Sequence, residues 1–176
     1  MPAGNTVKEP LVRFALSCIA LALASPAWAA PAHVHGEARL EIAVDGNTLA
    51  IHLETPLDGL LGFERAPRSP AERQAVTAMR TTLEQPDRLF RIVPEAGCEA
   101  QAPQLESPIF EGSAGDGHLD LDADYRWQCA RPSALRGIDT TLFAEFPRLK
   151  RIEVEFVGPA GQRSGRLTPA RPRFAW

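Results

Sequence analysis

The chain has 176 residues, three cysteines and a formal net charge of −3. That length holds one domain with a proper core, and an acidic balance lacks the basic footprint of a nucleic-acid binder or of a protein seated on an anionic membrane. No P-loop, dinucleotide fingerprint, Gly-x-Ser-x-Gly or His-Glu-x-x-His is present, so the residues point away from an enzyme.

Residues 1–29 read as a cleavable export signal. Lys8 and Arg13 make a positive start, and Phe14 to Ala24 is apolar apart from Ser17 and Cys18. That run of about 11 residues is too short for a bilayer, which needs roughly 20. A lipid anchor on Cys18 fits poorly, because Ala15 stands where a larger aliphatic residue is wanted. Ala27-Trp28-Ala29 is a small-x-small cleavage site, so Ala30 becomes the mature N-terminus. The expected product is a single β-rich domain, residues 30–176, without a membrane anchor. Lys8, Glu9 and Arg13 leave with the signal, which makes the net charge −4.

The mature chain opens with period-2 alternation over residues 34–44. Val34, Ala38, Leu40, Ile42 and Val44 share one face, and His33, His35, Glu37, Arg39 and Glu41 the other, which predicts a half-buried strand. Asp45-Gly46 signals a hairpin turn, and Leu49, Ile51 and Leu53 mark the returning strand. The apolar faces stay together whether Ile42 pairs with Leu49 or with Ile51, so both registers remain open.

Residues 55–68 read as a Pro- and Gly-containing loop with apolar Leu57, Leu60, Leu61 and Phe63. Ser69, Pro70 and Glu72 then form an N-cap, a first-turn proline and a capping box. Ala75, Val76, Met79 and Leu83 supply an apolar stripe, and Pro86 is the stop, which predicts one clear helix at about 69–85. Leu89–Val93 suggests a short strand, and Cys98–Phe110 a proline-broken edge strand.

Residues 118–129 alternate again. Leu119, Leu121, Ala123, Tyr125, Trp127 and Cys129 face one way, and His118, Asp120, Asp122, Asp124, Arg126 and Gln128 the other. Thr140–Phe146 suggests a helical turn, Ile152–Val157 and Ser164–Thr168 a second hairpin, and Pro172–Trp176 an aromatic tail docked on the body. The expected fold is α+β, mainly antiparallel sheet with one clear helix.

Two cysteines survive processing, Cys98 and Cys129, and an even count in an exported chain points to a disulfide. A metal-thiolate pair is the weaker alternative, since the two are far apart and neither has a nearby Cys or His.

Two patterns carry metal-ligand chemistry. His33 and His35 sit at i, i+2 on a strand, with side-chain origins roughly 6–7 Å apart, so both imidazoles can reach one ion. His118, Asp120, Asp122 and Asp124 form a row whose like charges repel unless a cation or Arg126 offsets them. A mixed imidazole and carboxylate set suits Zn²⁺. His52 falls opposite Arg39 or Glu41, four to six positions along the strand from His35, and reads as a surface histidine.

Several segments together resemble a known family. They are His-Val-His-Gly-Glu-Ala-Arg-Leu (33–40), Leu-Leu-Gly-Phe-Glu-Arg-Ala-Pro (60–67), Gly-Cys (97–98), His-Leu-Asp-Leu-Asp-Ala-Asp-Tyr-Arg-Trp-Gln-Cys (118–129), Leu-Phe-Ala-Glu-Phe-Pro (142–147) and the Leu-Thr-Pro…Trp tail. The chain is similar to the ZrgA-like periplasmic proteins of Gram-negative bacteria, which are associated with zinc uptake. That resemblance implies zinc ligands at His33, His35, His118 and, where the family tends to have another histidine, Asp122. It also implies a periplasmic location and an inner-membrane zinc importer as partner. One departure stands out: the family's histidine-rich loop falls on Glu-Gly-Ser-Ala-Gly-Asp-Gly (111–117), which holds no histidine. The alternative is a non-enzymatic scaffold module of a metal-transport operon with a degenerate metal site.

Overall fold

The computed structural model describes Met1 and residues 34–111, 119–159 and 161–176. The strands are β1 (Glu37–Asp45), β2 (Thr48–Pro56), β3 (Phe90–Arg91), β4 (Cys98–Ala100), β5 (Gln104–Glu106), β6 (Asp120–Cys129), β7 (Gly137–Thr140), β8 (Arg151–Gly158), β9 (Gly161–Leu167) and β10 (Arg173–Ala175). The helices are α1 (Leu57–Leu61), α2 (Pro70–Leu83), α3 (Pro86–Leu89) and α4 (Leu142–Glu145). The larger sheet runs β4-β6-β2-β1-β8-β9, with β5 also on β6, and the smaller one runs β10-β7-β3.

Alternation decides which face is buried. Leu40, Ile42, Leu49, Ile51, Leu53, Leu121, Ala123, Tyr125, Trp127, Ile152 and Val154 all point inward at 0–1% exposure. The opposite face of β1, β2 and β6 carries His52, Glu54, Asp122, Asp124 and Arg126. Met79 and Leu83 of α2 close over the apolar face with Leu89 and Phe90, as the stripe predicts. Phe90 meets Tyr125 and Trp127 edge-on, with centroids at 5.1 and 6.0 Å. Trp127 keeps its indole N–H satisfied by donating to Asp87 Oδ1 at 2.9 Å, the usual condition for burying a tryptophan.

The hairpin adopts the second of the two open registers, Ile42 opposite Ile51. Asp45 pairs with Thr48, so the turn residues are Gly46-Asn47 and not Asp45-Gly46. Gly46 at φ 54° supplies the positive φ needed at the first turn position. The sheet is mainly antiparallel, but β1 and β8 pair in parallel, Leu40 beside Val154. Local sequence does not predict that pairing, because the two strands are about 100 residues apart and share only an apolar face.

Three local readings change. Residues 57–61 form a short helix closed by Gly62 in the left-handed region, φ 82°, instead of a loop. Pro86 ends one helix and also opens the next, where its missing N–H costs nothing. Cys98–Phe110 splits into β4 and β5, both paired with β6, and a 3₁₀ turn. Ser69 accepts from the Glu72 N–H at 3.1 Å, the capping box read from sequence. Cys98 and Cys129 face each other across β4 and β6 and form the disulfide. Trp176 stacks on Phe156 at 4.5 Å, which docks the tail.

Candidate metal centre

His35 lies in the turn that leads into β1. Gly36 makes that turn at φ 75°, and a Cβ there would stand 2.9 Å from the Arg148 carbonyl oxygen. The Gly36 carbonyl accepts from the Lys150 and Arg151 N–H groups at 2.7 and 3.2 Å, which ties the turn to the start of β8. The chain direction at His35 is therefore fixed by backbone bonds.

Glu64 comes to the same place from another element. Helix α1 packs under the turn: a Cβ on Gly59 would lie 3.8 Å from the Gly36 Cα. Gly62 then sends residues 63–69 back past His35. Arg65 clamps this loop to α2 with two bonds to the Glu72 carboxylate, 2.7 and 3.0 Å, and lies 5.1 Å over the Phe63 ring. The Arg65 guanidinium, helped by the Arg68 N–H, holds the Glu72 carboxyl down at about 2. The Glu64 Oε1 stands 3.5 Å from the His35 Nε2, with the carboxylate side chain 11% exposed and the imidazole 64%.

The start of β6 adjoins the same end of the sheet. Arg39, Glu54 and Asp122 share one row, and Asp120 pairs with Pro56. The Leu119 carbonyl accepts from the Leu57 N–H at 2.9 Å. β1 and β6 thus begin on either side of the end of β2, about 10 Å apart at ~4.8 Å per strand spacing. His33 and His118 lie outside the described residues.

Asp122 is brought beside His52. It shares a row with Arg39 and Glu54, so it lies two strands across from the β1 residue that is four positions after His35. Its Oδ1 lies 3.5 Å from the His52 Nε2, and the Asp124 Oδ1 lies 3.2 Å from the His52 Nδ1. Partial burial raises the Asp122 pKa; His52 opposes that shift, and Glu54, Glu106 and Asp124 add to it. His52 is opposite Glu41, within the range read from sequence, but its two aspartate partners come from β6, a pairing the hairpin alone does not reveal.

Among the described residues no three His, Cys, Asp or Glu side chains converge as a ready metal site. No described helix is long and apolar enough to cross a membrane. Sequence reasoning missed Glu64, although it lies in the Phe-Glu-Arg-Ala-Pro segment, which carried part of the resemblance. A lone glutamate there has no periodic partner, and only the fold of α1 brings it to His35.

Comparison with curated proteins gives no significant match. The family model described as ZrgA family zinc uptake protein matches residues 32–176, the whole of the described fold. The chain belongs to the ZrgA family of zinc uptake proteins.

Proposed function

We propose that this chain is a periplasmic zinc carrier, which captures Zn²⁺ and hands it to an inner-membrane importer. His33, His35 and His118 provide the imidazoles, and a carboxylate completes the set. The observation that carries this is the strand register. β1 and β6 begin at one end of the sheet, and the candidate histidines are the residues just before those two starts. Release of the carboxylate leaves three protein ligands and one open position, which lets an acceptor enter before the imidazoles let go. The chain acts on zinc as cargo and not as a catalyst. Export rests on residues 1–29, with the signal removed after Ala29.

Zinc titration by calorimetry tests the capture step on the exported, processed protein. The unmodified chain is expected to bind one ion, and a His33→Ala/His35→Ala double variant to lose at least about 100-fold in affinity, with a single His118→Ala also weaker. Equal binding by the double variant rules out the histidine pair. For hand-over, cells lacking the chain are expected to grow poorly when zinc is chelated and to recover when zinc is added back.

A scaffold role with a decayed metal site is the second reading, favoured by the absence of histidine from residues 111–117. It predicts that neither form of the protein takes up zinc.

A further inference from the structure

We propose that the carboxylate of the zinc site is Glu64, and that Asp122, the position suggested by the family resemblance, takes no part. This rests on the zinc-carrier reading and adds the ligand that reading leaves undecided.

Distance is the first argument. A charge-assisted N–H···O bond spans about 2.7–2.9 Å. Ligand atoms of a tetrahedral zinc, each about 2.0–2.2 Å from the metal, stand about 3.3–3.6 Å apart. The His35 Nε2 and Glu64 Oε1 are 3.5 Å apart, too long for a good hydrogen bond and right for two corners of that tetrahedron.

Support of the side chains is the second. Glu64 stands on a loop braced by the Arg65–Glu72 pair and by the Gly62 turn, and its own side chain is only 11% exposed. Its position is thus largely settled before any ion arrives, which lowers the ordering cost of binding. His35 is 64% exposed, so an ion beside it can be reached by further ligands.

Asp122 has the same distance only to His52, and its side chain is 49% exposed. It lies two strands across from Arg39, which is itself four residues beyond His35. Its histidine neighbour is held at the other ring nitrogen by Asp124, at 3.2 Å, so His52 already has a carboxylate at each ring nitrogen. An ion at Asp122 would also leave Glu64 and His35 unused.

Four exported proteins decide the matter by zinc calorimetry and by the visible absorption of bound Co²⁺: unmodified, Glu64→Gln, Glu64→His and Asp122→Asn. Glu64→Gln is expected to lose at least about tenfold in zinc affinity and to change the Co²⁺ absorption, since ligand-level changes cost that much or more. Glu64→His, which restores a ligand atom, is expected to regain zinc, and Asp122→Asn to stay within about twofold of the unmodified chain. Unmodified affinity in Glu64→Gln overturns the proposal, while loss in the His33→Ala/His35→Ala variant would still support the carrier reading. No zinc uptake by the unmodified protein overturns both. Thermal unfolding without metal shows whether Glu64→Gln is merely unstable; if it is, Glu64→His decides, with retained zinc supporting the ligand role and lost zinc overturning it.

Discussion

Among the described residues, two places set an imidazole Nε2 3.5 Å from a carboxylate oxygen: His35 with Glu64 at the sheet's end, and His52 with Asp122 on its polar face. Their surroundings differ. His52 has a second carboxylate, Asp124, on its other nitrogen, and its neighbours Glu54 and Glu106 flank Asp122 across the strands. It stands between two carboxylates of an acidic row, one at each ring nitrogen. His35 is mostly exposed, follows His33 in sequence, and meets a carboxylate that is nearly buried. Equal distances therefore imply different chemistry. What separates them is how exposed the ring is and how firmly the carboxylate is held in place.

The largest change comes from the frame that holds both places. Replacing Cys98 and Cys129 by serine opens a loop whose ends are 31 residues apart, and about 3–4 kcal/mol of stability is expected to go with it. Chemical denaturation of the oxidised protein and of the double variant measures it. If the loss is much smaller, the β4–β6 clamp is not what keeps β6, and with it Asp122 and Asp124, in register.

Next is the His33→Ala/His35→Ala variant, with its expected loss of at least about 100-fold in zinc affinity beside nearly unchanged unfolding. His52→Ala should leave zinc affinity within about twofold. A tenfold loss in His52→Ala would erase the distinction between the two places.

The brace behind Glu64 has a signature in acid. The folded-state pKa of Glu72 is lowered to about 2 by Arg65, so its contribution to stability is present above the ordinary carboxyl value near 4.5 and is lost as the pH falls toward 2. Glu72→Gln should flatten that part of the unfolding curve and also weaken zinc binding, because residues 63–69 lose their clamp. The clamp is partly exposed, so its stability effect is modest. An unchanged zinc affinity would show that the loop holds Glu64 without it.

The smallest effect belongs to the acidic row. His52→Ala should cost no more than about 1 kcal/mol, and less at high salt, since the pair is partly solvated and screened. Unfolding at two ionic strengths checks this.

Patterns of short range were legible in the order of residues. Period-2 alternation marked β1, β2 and β6 and the faces they bury, because a buried strand face excludes charge at every second residue. Ser69, Pro70 and Glu72 marked the start of α2, because orphan N–H groups at a helix start need those partners. The His-x-His start and the acidic row were visible as candidate ligands for the same reason. Neighbours brought together from distant segments were decided by tertiary structure alone. The parallel β1–β8 pair, the β6 partners of His52 and the meeting of Glu64 with His35 join residues 29 to over 100 positions apart. Their pairing depends on how apolar faces pack and how helix α1 turns the chain, and no local spacing encodes that.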